Sequence, residues 1–83
     1  MITIRGIDGD EILVSHVEVW YEDGIDWCAD LMDENGDYIE ATADYAATRQ
    51  LSIARAKDMF PNTDIQVFSK GERRLLWTIK GIS

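Results

Sequence analysis

The sequence predicts an α+β domain: an antiparallel β-sheet in the order β-β-β-β-α-β-β, with one helix packed on one face. Three observations predict it. Short runs of alternating apolar and polar residues recur between Gly-containing turns up to residue 43. An Ala-rich segment then loses the alternation and stops at Pro61, the only proline. Two more alternating runs follow around Lys70-Gly71-Glu72. At 83 residues, the chain reads as a single acidic domain over 1–83, near the size where one core is just sufficient. Its 46% hydrophobic content, with three Trp, three Tyr and two Phe, is too rich for a disordered acidic tail.

Ile2 to Ile7 reads as a short strand, and Asp8-Gly9 fits a type I′ hairpin turn. Glu11 to Tyr21 is a second strand, in which Leu13, Val17, Val19 and Tyr21 alternate with Val14, His16, Glu18 and Trp20. Ile25 to Asp33 is a third, with Ile25, Trp27, Ala29 and Leu31 on one face and Asp26, Cys28, Asp30 and Met32 on the other. Asp37 to Ala43 is a fourth, its apolar set Ile39, Ala41 and Ala43. Asp44 is the expected N-cap of a helix over Tyr45 to Phe60. Ile65 to Ser69 and Arg74 to Lys80 form a closing hairpin whose register stays open, because Val67 and Phe68 claim opposite faces.

Register follows from the pleat, since a slip of one residue turns every side chain to the wrong face. Glu22-Asp23-Gly24 and Glu34-Asn35-Gly36 are odd-length loops that keep the apolar sets together. They predict buried rows of Val19, Trp27 and Ala43, then Val17, Ala29 and Ala41. The opposite face then carries His16, Asp30 and Glu40 in one row, Glu18, Cys28 and Thr42 in a second, and Trp20, Asp26 and Asp44 in a third.

Charge is segregated along the chain. Residues 6–48 hold thirteen carboxylates and no Lys or Arg; with Arg5, residues 1–48 carry −12. Residues 49–83 hold seven basic residues against Asp58, Asp64 and Glu72, giving +4 and the net −8. Such a field repels nucleic acid and attracts proteins with a basic groove. It excludes direct nucleic-acid binding and opposes anionic lipid. The N-terminus lacks a signal peptide's basic and apolar regions, and no run is long enough to span a membrane. The lone Cys28 allows no internal disulfide. Together these predict a cytoplasmic protein.

Catalytic signatures are not found. One His and one Cys, with no Ser-His-Asp set, P-loop or Gly-rich nucleotide turn, give no catalytic residue, cofactor or metal assignment. His16, Asp30 and Glu40 combine donor types suited to zinc or manganese, but their spacing matches no ligand motif, and His16 reads better as an exposed histidine. Asp33-Glu34-Asn35-Gly36-Asp37 resembles a calcium loop only until the twelve residues and flanking helices of an EF-hand are required. Acidic neighbours should raise the Cys28 pKa and suppress its thiolate. Like charges across the sheet, Asp30 with Glu40 and Asp26 with Asp44, disfavour folding slightly and so point to a selected surface, although a solvated, solubilising face explains any single carboxylate equally well. Trp20, Tyr38, Val14 and Met32 within that patch are either binding hot spots or covered by other elements.

A compact acidic antiparallel sheet with one helix and no catalytic motif resembles the small phage-encoded inhibitors of bacterial defence, notably anti-CRISPR proteins. The resemblance is one of type, in size, order of elements and the carboxylates Glu18, Glu22, Asp23, Asp26, Asp30, Asp33, Glu34, Asp37 and Glu40. It implies a stoichiometric inhibitor, acting in the cytoplasm of a bacterial host cell if phage-encoded, whose partner is a basic nucleic-acid-binding protein or CRISPR effector complex. Those carboxylates, with Trp20 and Tyr38, are the expected partner-binding residues. Carboxylates two residues apart on one strand face lie about 6.5 to 7 Å apart, close to the phosphate spacing of a DNA strand. A second likeness is to HicB-type antitoxins, in Asp23-Gly24, Trp27-Cys28-Ala29 and Ala46-Ala47-Thr48 through Ala54-Arg55-Ala56. It implies an interaction module with no nucleic-acid link.

Overall fold

A computed structural model describes residues 2–5, 9–41 and 45–82. The elements are β1 (Ile2–Arg5), β2 (Glu11–Tyr21), β3 (Trp27–Asp33), β4 (Tyr38–Ala41), α1 (Arg49–Met59), β5 (Asp64–Phe68) and β6 (Leu75–Ile79). The fold is α+β, with α1 packed on one face of a sheet ordered β4-β3-β2-β5-β6 and β1 attached to β2. The element order is the expected one, but the sheet is mixed, because β5 runs parallel to β2. After β4 the chain crosses the core face as α1 and returns on the far side of β2. A helical crossover is the usual way to join parallel strands.

Alternation placed Val17, Val19, Trp27, Ala29 and Leu31 inward correctly, and all five are buried in one cluster with Ile65 and Val67. A β-bulge between Val14 and His16 reverses one expectation: Val14 is fully buried and Leu13 is 37% exposed. The extra residue advances the pleat, so Val14 joins the core face instead of the acidic one.

The first hairpin turns one residue later than expected. Glu22 N–H donates to the Asp26 carbonyl at 2.9 Å, so the three-residue loop is Asp23-Gly24-Ile25, with Gly24 at φ +77°. Odd length is kept, so faces hold while partners slide: Trp27 lies opposite Tyr21 rather than Val19, and Ile25 is exposed in the turn. The second loop is Glu34-Asn35-Gly36 as expected, closed by Asp33 N–H to the Asp37 carbonyl at 2.9 Å with Gly36 at φ +84°. A bulge then sets Asp30 opposite Ala41 and Leu31 opposite Glu40, which undoes the Asp30–Glu40 and Ala29–Ala41 pairs. Thr42, Ala43 and Asp44 lie outside the described residues, as do Ile7 and Asp8 of the first turn.

The helix begins four residues after its expected start. Ala46 exchanges both backbone hydrogen bonds with Trp27, at 3.0 and 2.8 Å, and this bridge holds the segment extended despite its alanines. Thr48 is the N-cap, its Oγ1 accepting from Leu51 N–H at 3.1 Å. Ser52 and Ala56 are the buried helix residues, and their small side chains let the backbone approach the sheet. In the closing hairpin Val67 is fully buried, which assigns Phe68 to the outer face.

Candidate partner-binding face

The sheet face away from α1 carries an open concavity of about 540 Å³, lined by Trp20, Glu22, Cys28, Asp30, Met32, Gly36, Asp37, Tyr38, Tyr45 and Arg73. Strands β2 and β3 supply its floor through Trp20, Cys28, Asp30 and Met32, and the two hairpin turns supply its ends. Of the expected binding residues it gathers Trp20, Glu22, Asp30, Asp37 and Tyr38.

Their surroundings differ from a bare acidic surface. Asp30 is 8% exposed, and its Oδ2 accepts from Trp20 Nε1–H at 2.7 Å. Burial pushes its pKa up; the Trp20 hydrogen bond and the Arg73 charge work against that. Glu18, directly across from Asp30, accepts from Arg73 at 3.0 Å through Oε1 and contacts His16 Nε2 at 2.9 Å through Oε2. His16, expected to be exposed, therefore has only 15% of its side chain accessible. The Arg73 guanidinium lies 4.1 Å from the centre of the Trp20 ring and 5.7 Å from that of Phe68. Arg73 itself has φ +52°, uncommon for a residue with a side chain, in the turn between β5 and β6.

At one end of the face, Glu22 accepts from the Tyr45 hydroxyl at 2.7 Å, which pushes the Tyr45 pKa up to about 12. At the other, Asp33 Oδ1 accepts from Asn35 N–H and Asp37 N–H at 2.8 and 2.9 Å, so Asp33 shapes the turn. Glu34, Asp37 and Tyr38 are exposed there, Tyr38 at 60%. Asp23 is exposed and Asp26 half-buried at the first turn, and Glu40 lies in β4. Burial, with help from Asp30 and Glu22, pushes the Cys28 thiol up to about 12. The thiolate is suppressed, with burial the larger cause.

Two expectations about this face are corrected. His16, Asp30 and Glu40 do not share a row, and among the described residues no three His, Cys, Asp or Glu side chains are grouped to hold a metal. Carboxylates two residues apart on one strand do not occur here either. Trp20 separates Glu18 from Glu22 and Cys28 separates Asp26 from Asp30, a spacing of about 13 Å along each strand. Arg73 and Tyr45 were not foreseen as members of the face, and no local sequence signal marks them. No described helix is long and apolar enough to cross a membrane. No protein-family model matches this chain, and no curated protein or solved structure is significantly similar to it.

Proposed function

We propose that this protein is a stoichiometric binding protein whose concave outer face takes a basic element of a nucleic-acid-handling partner and so competes with nucleic acid, as the phage inhibitors of CRISPR complexes do. The observation that supports this reading is the seat of Arg73. A guanidinium already rests there between an indole ring and a carboxylate, beside further exposed acidic and aromatic groups. Cation–π contact and charge-assisted hydrogen bonds are the interactions an arginine-bearing partner would use. The face suits recognition of a few basic side chains better than phosphate-by-phosphate imitation of DNA.

The test uses charge reversal at exposed positions. Asp30 is excluded, since a lysine there would be buried beside Trp20. Glu34→Lys with Asp37→Lys should keep the fold and lose a captured nucleic-acid-handling partner, and rising salt or competing DNA should release that partner from the wild type. Undiminished capture by the double variant, or duplex binding by the protein alone, would overturn the reading.

A second reading, an antitoxin-like interaction module, is favoured by one observation. The helix in that likeness is opened by a threonine, and Thr48 is the N-cap here. This reading expects a partner held chiefly by apolar contact, hence retained at high salt and indifferent to DNA.

A further inference from the structure

Arg73 is an unexpected residue at its place in the chain. Ser69 N–H donates to the Arg74 carbonyl at 2.8 Å and Arg74 N–H donates to Ser69 Oγ at 3.0 Å, so Lys70 to Arg73 form the loop between β5 and β6. Gly71 and Arg73 both hold positive φ there, +99° and +52°. That region favours glycine, and a residue with a side chain makes the turn less favourable than glycine would. The turn alone does not call for arginine.

What the side chain does is fill a seat on the outer face. Its guanidinium lies 4.1 Å from the centre of the Trp20 ring and donates to Glu18 Oε1 at 3.0 Å. The neighbouring carboxylates are otherwise engaged: Asp30 accepts from the Trp20 indole, Glu22 accepts from the Tyr45 hydroxyl, and Glu18 Oε2 contacts His16. What remains is an aromatic plane beside one carboxylate oxygen, which suits a planar guanidinium better than an ammonium. This occupant is also removable. The Arg73 side chain is 46% accessible against 15% for Glu18, so the seat is the sheltered part and its occupant the exposed one. Arg73 belongs to neither β5 nor β6, and its side chain can leave without breaking a ladder hydrogen bond.

We propose that Arg73 is a built-in competitor for this seat, and that a partner's arginine, rather than a lysine, displaces it to lie over Trp20 and against Glu18. The proposal rests on the reading of this face as partner-binding and names the side chain the partner brings. Arg73 then sets a threshold. While docked it pairs with Glu18 and keeps weakly bound cations off the seat. An exposed cation–π contact and an exposed ion pair together favour the docked side chain by about three- to thirtyfold, and the apparent affinity for an outside guanidinium falls by about that factor.

The probe is N-acetyl-arginine amide, with N-acetyl-lysine amide as the comparison, titrated into isotope-labelled full chain while NMR follows the indole N–H resonances. The Trp20 resonance is identified by its loss in Trp20→Phe. Arg73→Gly suits the positive φ, and Arg73→Asn, which also tolerates that region, supplies a second variant; circular dichroism of both should match the wild type. Both should bind the arginine probe at least about fourfold more tightly than the wild type, with the Trp20 resonance moving most. Loss of one positive charge strengthens both probes alike, so a smaller gain for the lysine probe reports the seat itself. Equal arginine affinity in the wild type and both variants overturns the proposal, because Arg73 then competes for nothing. An equal gain for lysine overturns it by reducing the effect to bulk charge. Binding that leaves the Trp20 resonance unmoved overturns it by placing the site elsewhere. The reading of the face falls by a different result, undiminished partner capture by Glu34→Lys with Asp37→Lys, a variant that leaves Glu18, Trp20 and Arg73 in place.

Discussion

Replacing Trp20 by Phe, alone and in an Asp30→Asn background, isolates one hydrogen bond in the centre of the outer face. The variant keeps an aromatic ring beside Arg73 and removes the Nε1–H that donates to Asp30 at 2.7 Å, together with part of the indole's contact area. Hydrogen bonds to charged groups contribute about 1.5 to 3 kcal/mol, and losing one leaves a buried acceptor unsatisfied. With Asp30 8% exposed, water cannot fully replace the indole, so a loss of about 2 to 3 kcal/mol is expected near neutral pH. A domain of this size has a total stability of about 4 to 12 kcal/mol, so chemical denaturation will resolve the change.

The pH dependence gives the sharper test. Burial raises the Asp30 pKa above its unfolded value, so this group favours the folded state below the ordinary carboxylate range and loses that contribution as pH rises through its raised value. Removing the Trp20 donor, which lowers that pKa, moves it further up. The deficit of Trp20→Phe should therefore be largest at neutral pH and shrink on acidification, as Asp30 protonates in the folded state. In an Asp30→Asn background the same substitution should cost only about 1 kcal/mol, the value of a neutral hydrogen bond. Equal losses in both backgrounds and at every pH would show that Trp20 stabilises by packing alone.

Trp27 is 7% exposed, meets Tyr21 edge-on at 5.4 Å and lies 4.7 Å beneath the Arg49 guanidinium. Trp27→Ala should cost about 3 to 5 kcal/mol in chemical denaturation, more than any Trp20 substitution; the reverse ranking would invert the sheet. Cys28, with its thiol pushed up to about 12, should resist alkylation in the folded protein and react at the rate of unfolding, which mass spectrometry can follow. Gly81→Ala should cost about 1 to 3 kcal/mol in thermal or chemical melts, because a Cβ there would meet the Asn62 carbonyl carbon at 2.5 Å in the segment that ties Ile82 N–H to the Pro61 carbonyl.

Much of the fold was legible because pleat and turn chemistry are local. The alternation in β2 and β3 assigned Val17, Val19, Trp27, Ala29 and Leu31 to the core and Trp20 to the outer face. Bulges were not legible: Leu13 and Val14 are equally apolar, and which of them faces the core depends on how β1 and β3 seat against β2. The direction of β5 was also hidden, since the pattern within Asp64–Phe68 reads the same for parallel and antiparallel neighbours. On the outer face the aromatic and carboxylate members could be read from period two. Arg73 could not, because it reaches Glu18 across 55 residues of sequence. The helix start was lost to a tertiary bridge, Trp27 with Ala46, that overrides alanine propensity.

The charge asymmetry of the sequence takes on a different meaning in the fold. Read linearly, a −12 segment and a +4 segment suggest an acidic module followed by a basic one. In three dimensions five of the seven basic residues of that segment are engaged one by one with aromatic rings or carboxylates. Arg73 joins the acidic face, Arg49 lies 4.7 Å from the centre of the Trp27 ring, Lys70 lies 4.4 Å from that of Tyr21, and Arg74 and Lys80 pair beside β6. Negative charge is left concentrated at the turns flanking β3, the two ends of the concave outer face, so the linear asymmetry becomes a field gathered at that face.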